Sequence, residues 1–252
     1  MSESDIDASL WLDSVRVVPT IGLRFVPTLD TASLLIGRLK PLLLKWQSTY
    51  FGLKVSTQNE KVSIERPDGY EITVGSENLA CKFYYISSIV EIGQDQPIIR
   101  YQSPRVPFAQ ICNGIQEVLG EILAELSKDG NRSIKLIGVV AEGNFDPEAP
   151  PPGFEAYLKH LGLPWRDGIL EINGDVVALL NSSDDFTDRC HHVVQKPIDK
   201  EKVVNFKLDW QRVWSRSDTP NLSKLKNNIA DARKAAFDYF GKFGLGALSY
   251  GP

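Results

Sequence analysis

Apolar and polar residues change period several times along this chain, and each change marks an element. Val15 to Val26 alternates, with Val15, Val17, Ile21, Leu23 and Phe25 toward one side, which predicts a strand. Pro19 near its start predicts an edge position or a bulge, because proline brings no N–H to a ladder. From Asp30 or Thr31 the period lengthens. Leu35, Leu39, Leu42, Leu43 and Trp46 fall on one face of a helix over about 31–49, and Pro41 inside it predicts a kink or two pieces. Two alternating runs then flank Pro67-Asp68-Gly69, a hairpin signal. A β-rich run follows over 79–92, and a short strand over 97–102. Ile111, Ile115, Val118, Leu119, Ile122 and Leu126 give a helical stripe that Asp129-Gly130 ends.

The order then begins again. Ser133 to Glu142 predicts a strand, and the proline-rich 146–153 leads into a short helix near Phe154 to Leu161. Two β runs about Asn173-Gly174-Asp175 predict a second hairpin. Strands follow over 186–195 and 203–213. A last helix starts at Asn221 or Ser223, with Leu222, Leu225, Ile229, Ala236 and Phe240 inward. The expected class is therefore α+β, a strand-helix-four-strand-helix unit taken twice. The boundaries are an acidic arm 1–14, a first repeat 15–130, a second repeat 131–244 and a tail 245–252. Ile21-Gly22 answers Ile137-Gly138, the hairpins at Pro67 and Asn173 answer each other, and so do the strands of Cys81 and Cys190. Two such units can join edge to edge into one curved, largely antiparallel sheet of about ten strands with helices on one face. The proline-rich segment is expected near the join.

This order of elements from Val15 to Phe243 resembles the duplicated architecture of the TATA-box-binding protein and helix-grip folds. No motif of that protein is present, and its DNA-bending function is not carried over. The opening strand VRVVPTIGLRFVP and the late FKLDW strand before a helix also look like a sporadically distributed family of uncharacterised bacterial proteins. That likeness implies a bacterial origin and transfers no catalytic residue.

Composition narrows the function classes. The net charge is −4, and the arm alone carries Glu3, Asp5, Asp7 and Asp13, so the rest of the chain is balanced. No apolar run is long enough for a membrane span, and no secretory leader is visible, so a cytoplasmic protein is expected. Cys81, Cys112 and Cys190 are odd in number and scattered, which suits a reducing compartment.

Candidate chemistry is sparse. Cys190-His191-His192 has zinc-binding residue types, but neighbours on a strand point to opposite faces. A thiol–imidazole nucleophile there lacks a helix terminus or an aligned charge to activate it. Asp184, Asp185 and Asp188 could hold a cation, or simply form a solvated turn. The basic stretch is 196–242, with 11 Lys or Arg against 6 Asp or Glu. Along it Trp210, Arg212, Trp214 and Arg216 share a face. Core packing, a protein interface and stacking on nucleic acid all suit that face. Trp11 and Leu12 in the arm are further interface candidates. Tyr84, Tyr85, Tyr101 and Trp165 are candidates to line a ligand cleft.

The expectation is a non-enzymatic binding protein with another protein as partner, such as an accessory or neutralising subunit of a bacterial defence or toxin-related assembly. Small-molecule or nucleotide binding is the alternative, and nucleic-acid binding through 207–216 is third. No cofactor is implied.

Overall fold

The structure is a computed structural model that describes residues 18–26, 37–58, 61–83, 87–90, 99–102, 108–126, 128, 133–145, 148, 154–163, 172–196, 204–218 and 222–241. Among the described residues eleven strands and four helices follow in the order β1 (Val18–Val26), α1 (Leu39–Thr49), β2 (Lys54–Gln58), β3 (Lys61–Glu65), β4 (Tyr70–Val74), β5 (Asn78–Phe83), β6 (Ser87–Val90), β7 (Ile99–Gln102), α2 (Phe108–Leu126), β8 (Ser133–Phe145), α3 (Phe154–His160), β9 (Ile172–Ser182), β10 (Phe186–Lys196), β11 (Val204–Asp218) and α4 (Leu222–Gly241). Nine of the strands form one open antiparallel sheet in the order β2-β3-β4-β5-β1-β8-β11-β10-β9. The class is α+β, as the periodicity predicts.

Pro19 does not mark an edge. β1 is the centre of the sheet, paired to β5 on one side and β8 on the other. The proline is tolerated because it lies beyond the end of the β5 ladder, which covers Thr20 to Arg24. Pro41 falls in the first turn of α1, after two π-helical residues, Gly37 and Arg38. A missing N–H matters least in a first turn. The β-rich run 79–92 divides. β5 joins the main sheet, whereas β6 pairs with β7 in a separate two-stranded sheet, so the main sheet has nine strands instead of about ten.

The second predicted hairpin is also corrected. β9 runs straight through Asn173-Gly174, which face Gln195 and Val194 of β10. A Cβ at Gly174 would crowd the end of the Leu163 side chain. The true turn is Ser183-Asp184-Asp185, closed by the Ser183 N–H donating to the Phe186 carbonyl at 2.9 Å. At Pro67-Asp68-Gly69 the predicted hairpin is present, with Gly69 supplying a φ of 99°.

Strands wind outward in the same sequence on both sides of the central β1–β8 seam: β5, β4, β3, β2 on one side and β11, β10, β9 on the other. Gly22 lies opposite Gly138, Ile21 opposite Val139 and Leu23 opposite Ile137, a register symmetric about the glycine pair. Cys81 and Cys190 are not in equivalent strands, since β5 is the first strand out from the seam and β10 the second. The proline-rich 146–153, expected near the join, follows β8 in sequence and, apart from residue 148, lies outside the described residues.

α2 and α4 cover one face of the sheet and touch each other. α2 buries Ile111, Ile115, Val118, Leu119, Ile122 and Leu126, the whole predicted stripe. Each such side chain contributes roughly 1.5–3 kcal/mol when fully buried. Facing it are Ile21, Leu23, Leu79, Cys81 and Phe83; Ile137, Val139, Trp210, Ile229, Ala236 and Phe240 continue the same core.

Candidate functional site

The alternation of β11 decides the fate of the Trp/Arg face. Val204, Phe206, Leu208 and Trp210 point toward the helices, and Trp210 keeps 1 % of its surface exposed. Two residues on, Arg212 also points inward. Its Nε and Nη2 donate to the two carboxylate oxygens of Asp188, each at 2.7 Å, and its guanidinium lies 4.1 Å from the ring centre of Phe186. Trp214 is half-buried against the core. Trp210 therefore offers no surface to an interface, and the fork of Arg212 is already engaged. On β11 the strand turns Trp210 and Arg212 inward, and the opposite side carries Lys207, Asp209 and Gln211. Asp188 is drawn out of the acidic cluster by the same pair, leaving Asp184 and Asp185 exposed in the turn.

Alternation also separates Cys190-His191-His192. His191 faces the open side, paired to Asp175. Cys190 and His192 face the core. Nδ1 of His192 meets the Tyr157 hydroxyl of α3 at 3.1 Å, and Nε2 meets the Tyr239 hydroxyl of α4 at 2.9 Å. A neutral imidazole has one donor and one acceptor nitrogen, so one tyrosine accepts and the other donates. Burial lowers the His192 pKa to about 4, helped by repulsion from His160 and His191. It raises those of Tyr157 and Tyr239 well above the usual phenol range. The thiols of Cys81 and Cys190 are likewise pushed far up by burial, and that of Cys112 to about 12. Thiols in that state are not nucleophiles at neutral pH. Among the described residues no group of three or more His, Cys, Asp or Glu is placed to hold a metal.

A different arrangement forms at the far end of the sheet, on residues the sequence pattern did not single out. Arg66 follows β3 directly and is 5 % exposed. Its Nε and Nη2 donate to Asp68 at 3.0 and 2.6 Å, and Nη2 also reaches the Tyr50 hydroxyl at 2.5 Å. Three rings surround the guanidinium, with centres 4.2 Å away for Tyr50, 5.0 Å for Trp46 and 5.4 Å for Tyr70. The bidentate carboxylate and the ring faces offset the loss of hydration that burying a charge entails. Trp46 is fixed in turn by its indole N–H, which donates to Glu121 of α2 at 3.0 Å.

This box holds the turn that follows α1. The Tyr50 N–H donates to the Trp46 carbonyl at 2.7 Å, and Gly52 takes a φ of 93°. Between them Phe51 is 100 % exposed. Leu44 on α1 and Val55 on β2 are exposed on the adjoining elements. Among the described residues the other exposed large apolar side chains are Val177 and Leu179, on β9 at the opposite end. An apolar residue between a helix end and a glycine, Tyr50-Phe51-Gly52, is the one sequence signal that could have found this turn.

Trp11, Leu12, Tyr84, Tyr85 and Trp165 lie outside the described residues, as do the side chains of Tyr101 in β7 and Arg216 in β11. Among the described residues no helix is long and apolar enough to cross a membrane. The chain matches no protein-family model and no curated protein.

Proposed function

We propose that this is a non-enzymatic interaction protein, an accessory subunit that docks on another protein through the α1–β2 end of its sheet. The observation that carries the reading is Phe51: a fully exposed aromatic ring on a turn that the Arg66 box holds in place. A solvated phenylalanine forgoes roughly 1.5–3 kcal/mol that burial would provide. Placed on a rigid turn, it loses little freedom when a partner covers it, and that is the character of an interface anchor. Leu44 and Val55 would widen the contact. The burial of all three thiols and of His192 favours recognition over nucleophilic chemistry as the role.

The test is a photo-crosslinking amino acid at position 51 in the native host, with one at Ser63 as control. A discrete protein adduct from position 51 and none from 63 is expected, and Phe51→Asp should abolish co-purification of that protein. Equal labelling from both positions, or none from 51, would remove the proposal.

A further inference from the structure

Among the described residues the two edge strands of the sheet, β2 and β9, are not alike. β2 is five residues long, wholly exposed, and begins with Lys54. A short edge with a lysine is a protected edge. β9 is eleven residues long, and among the described residues it has a neighbour on one side only. It reads Asp175-Val176-Val177-Ala178-Leu179-Leu180-Asn181, with no charge from Val176 to Ser183 and no proline. Val177 is 61 % and Leu179 70 % exposed on the open face, beside His191 and Arg189 of β10. Among the described residues no strand pairs with the outer backbone donors and acceptors of β9, which lie next to apolar side chains and so form a template for a further strand. The bulge at Leu180, where Asp188 faces Asn181 and Arg189 faces Leu179, ends the regular part of the edge, so the template covers Asn173 to Leu179.

We infer that β9 pairs antiparallel with β9 of a second copy of this chain, about a two-fold axis at Ala178. The sequence of the strand argues for its own copy as the occupant. A two-fold at Ala178 sets Val177 against Leu179 and Val176 against Leu180, and the single charge, Asp175, falls opposite Asn181 instead of its own copy. That is the self-complementarity an isologous contact needs. A heterologous partner would be selected by charge, and this edge has almost none to offer. The join would repeat between molecules what β1 and β8 do within one, where two strands meet antiparallel about Gly22 and Gly138. It leaves the α1–β2 end free for another protein, so it stands or falls apart from the function proposed above.

The experiment is sedimentation equilibrium of the full chain from micromolar to near-millimolar concentration, with two double variants, Val177→Lys/Leu179→Lys and Val177→Glu/Leu179→Glu. Both residues are exposed, so both variants should fold, as circular dichroism would verify. The parent chain is expected to form a dimer. Each variant alone should dimerise at least about tenfold more weakly, since like charges face one another across the axis. An equal mixture of the two should recover a heterodimer. A parent chain that stays monomeric overturns the inference. So does a dimer untouched by both variants, or one that the mixture fails to restore. A dimer lost on Phe51→Lys but not in the β9 variants overturns it equally, by moving the contact to the other end of the sheet.

Discussion

Acidification should loosen this protein through His192 in a way that can be worked out in advance. The imidazole is 1 % exposed, enclosed by the Tyr157 and Tyr239 hydroxyls, with Cys190 on the same strand and His160 and His191 contributing unfavourable charge. Its pKa falls from 6.5 to about 4 in the folded chain. A base with a depressed folded value binds its proton more readily when unfolded. The stability tied to it is therefore complete above pH 6.5 and is lost as pH falls through the window from 6.5 to 4. Linkage converts the difference to a loss of about 2 kcal/mol between pH 7 and pH 5 and about 3 kcal/mol by pH 4, levelling off at about 3.4 kcal/mol below that. Urea unfolding midpoints at a series of pH values would read the slope, with His192→Gln as the reference. The variant is expected to start about 1–3 kcal/mol less stable at pH 7, because one tyrosine loses its partner, and to show a flatter profile down to pH 5. Proton NMR of the His192 ring would give the pKa directly. Parallel profiles for parent and variant, or a ring that titrates near 6.5, would refute the reasoning.

Two further outcomes follow from packing and paired charge. Gly114 lies in the middle of α2, where alanine ordinarily gains up to about 1 kcal/mol. Here a Cβ would overlap the Tyr70 hydroxyl and lie 2.6 Å from its Cζ, so Gly114→Ala should instead destabilise by about 1–3 kcal/mol, with relief in Gly114→Ala/Tyr70→Leu. A stabilised single variant in thermal melts would contradict the geometry. Breaking the buried Arg212–Asp188 pair with Arg212→Met should cost about 3–5 kcal/mol, whereas Arg212→Met/Asp188→Leu should recover most of it. Equal loss in the single and double variants would show that the pair contributes net attraction beyond its own desolvation.

Periodicity made the layers legible and left the sites obscure, for identifiable reasons. The stripe from Ile111 to Leu126 has one meaning, because a 3.6-residue period running along most of a nineteen-residue helix fits only a helix with one buried face. β10 and β11 were likewise plain. Asn173-Gly174 misled because the dipeptide signals a turn only when both residues are free to take positive φ, and here both lie within the ladder to β10. Pro19 misled because its position relative to the end of the β5 ladder is a fact of pairing, invisible along the chain. Trp210 and Arg212 share a face by their spacing, but a period of two cannot say which face the helices cover. The Arg66 box escaped notice because Trp46, Tyr50, Arg66 and Tyr70 meet only after α1 returns to the sheet, and no spacing in sequence encodes that meeting.

The seam where Gly22 faces Gly138 also sets a timetable. β1 emerges first, yet its second neighbour is not finished until Phe145 has been made, more than a hundred residues later. Until then the middle strand of the finished molecule waits with one side bare, and contacts so distant along the chain are the slow ones to form. The second half faces the mirror of this problem, since β8 must find β11 on one side and an already folded β1 on the other. Closing the seam is thus the step that turns two partial sheets into one, and a chain cut within 127–132 would retain every strand needed to close it from two separate pieces.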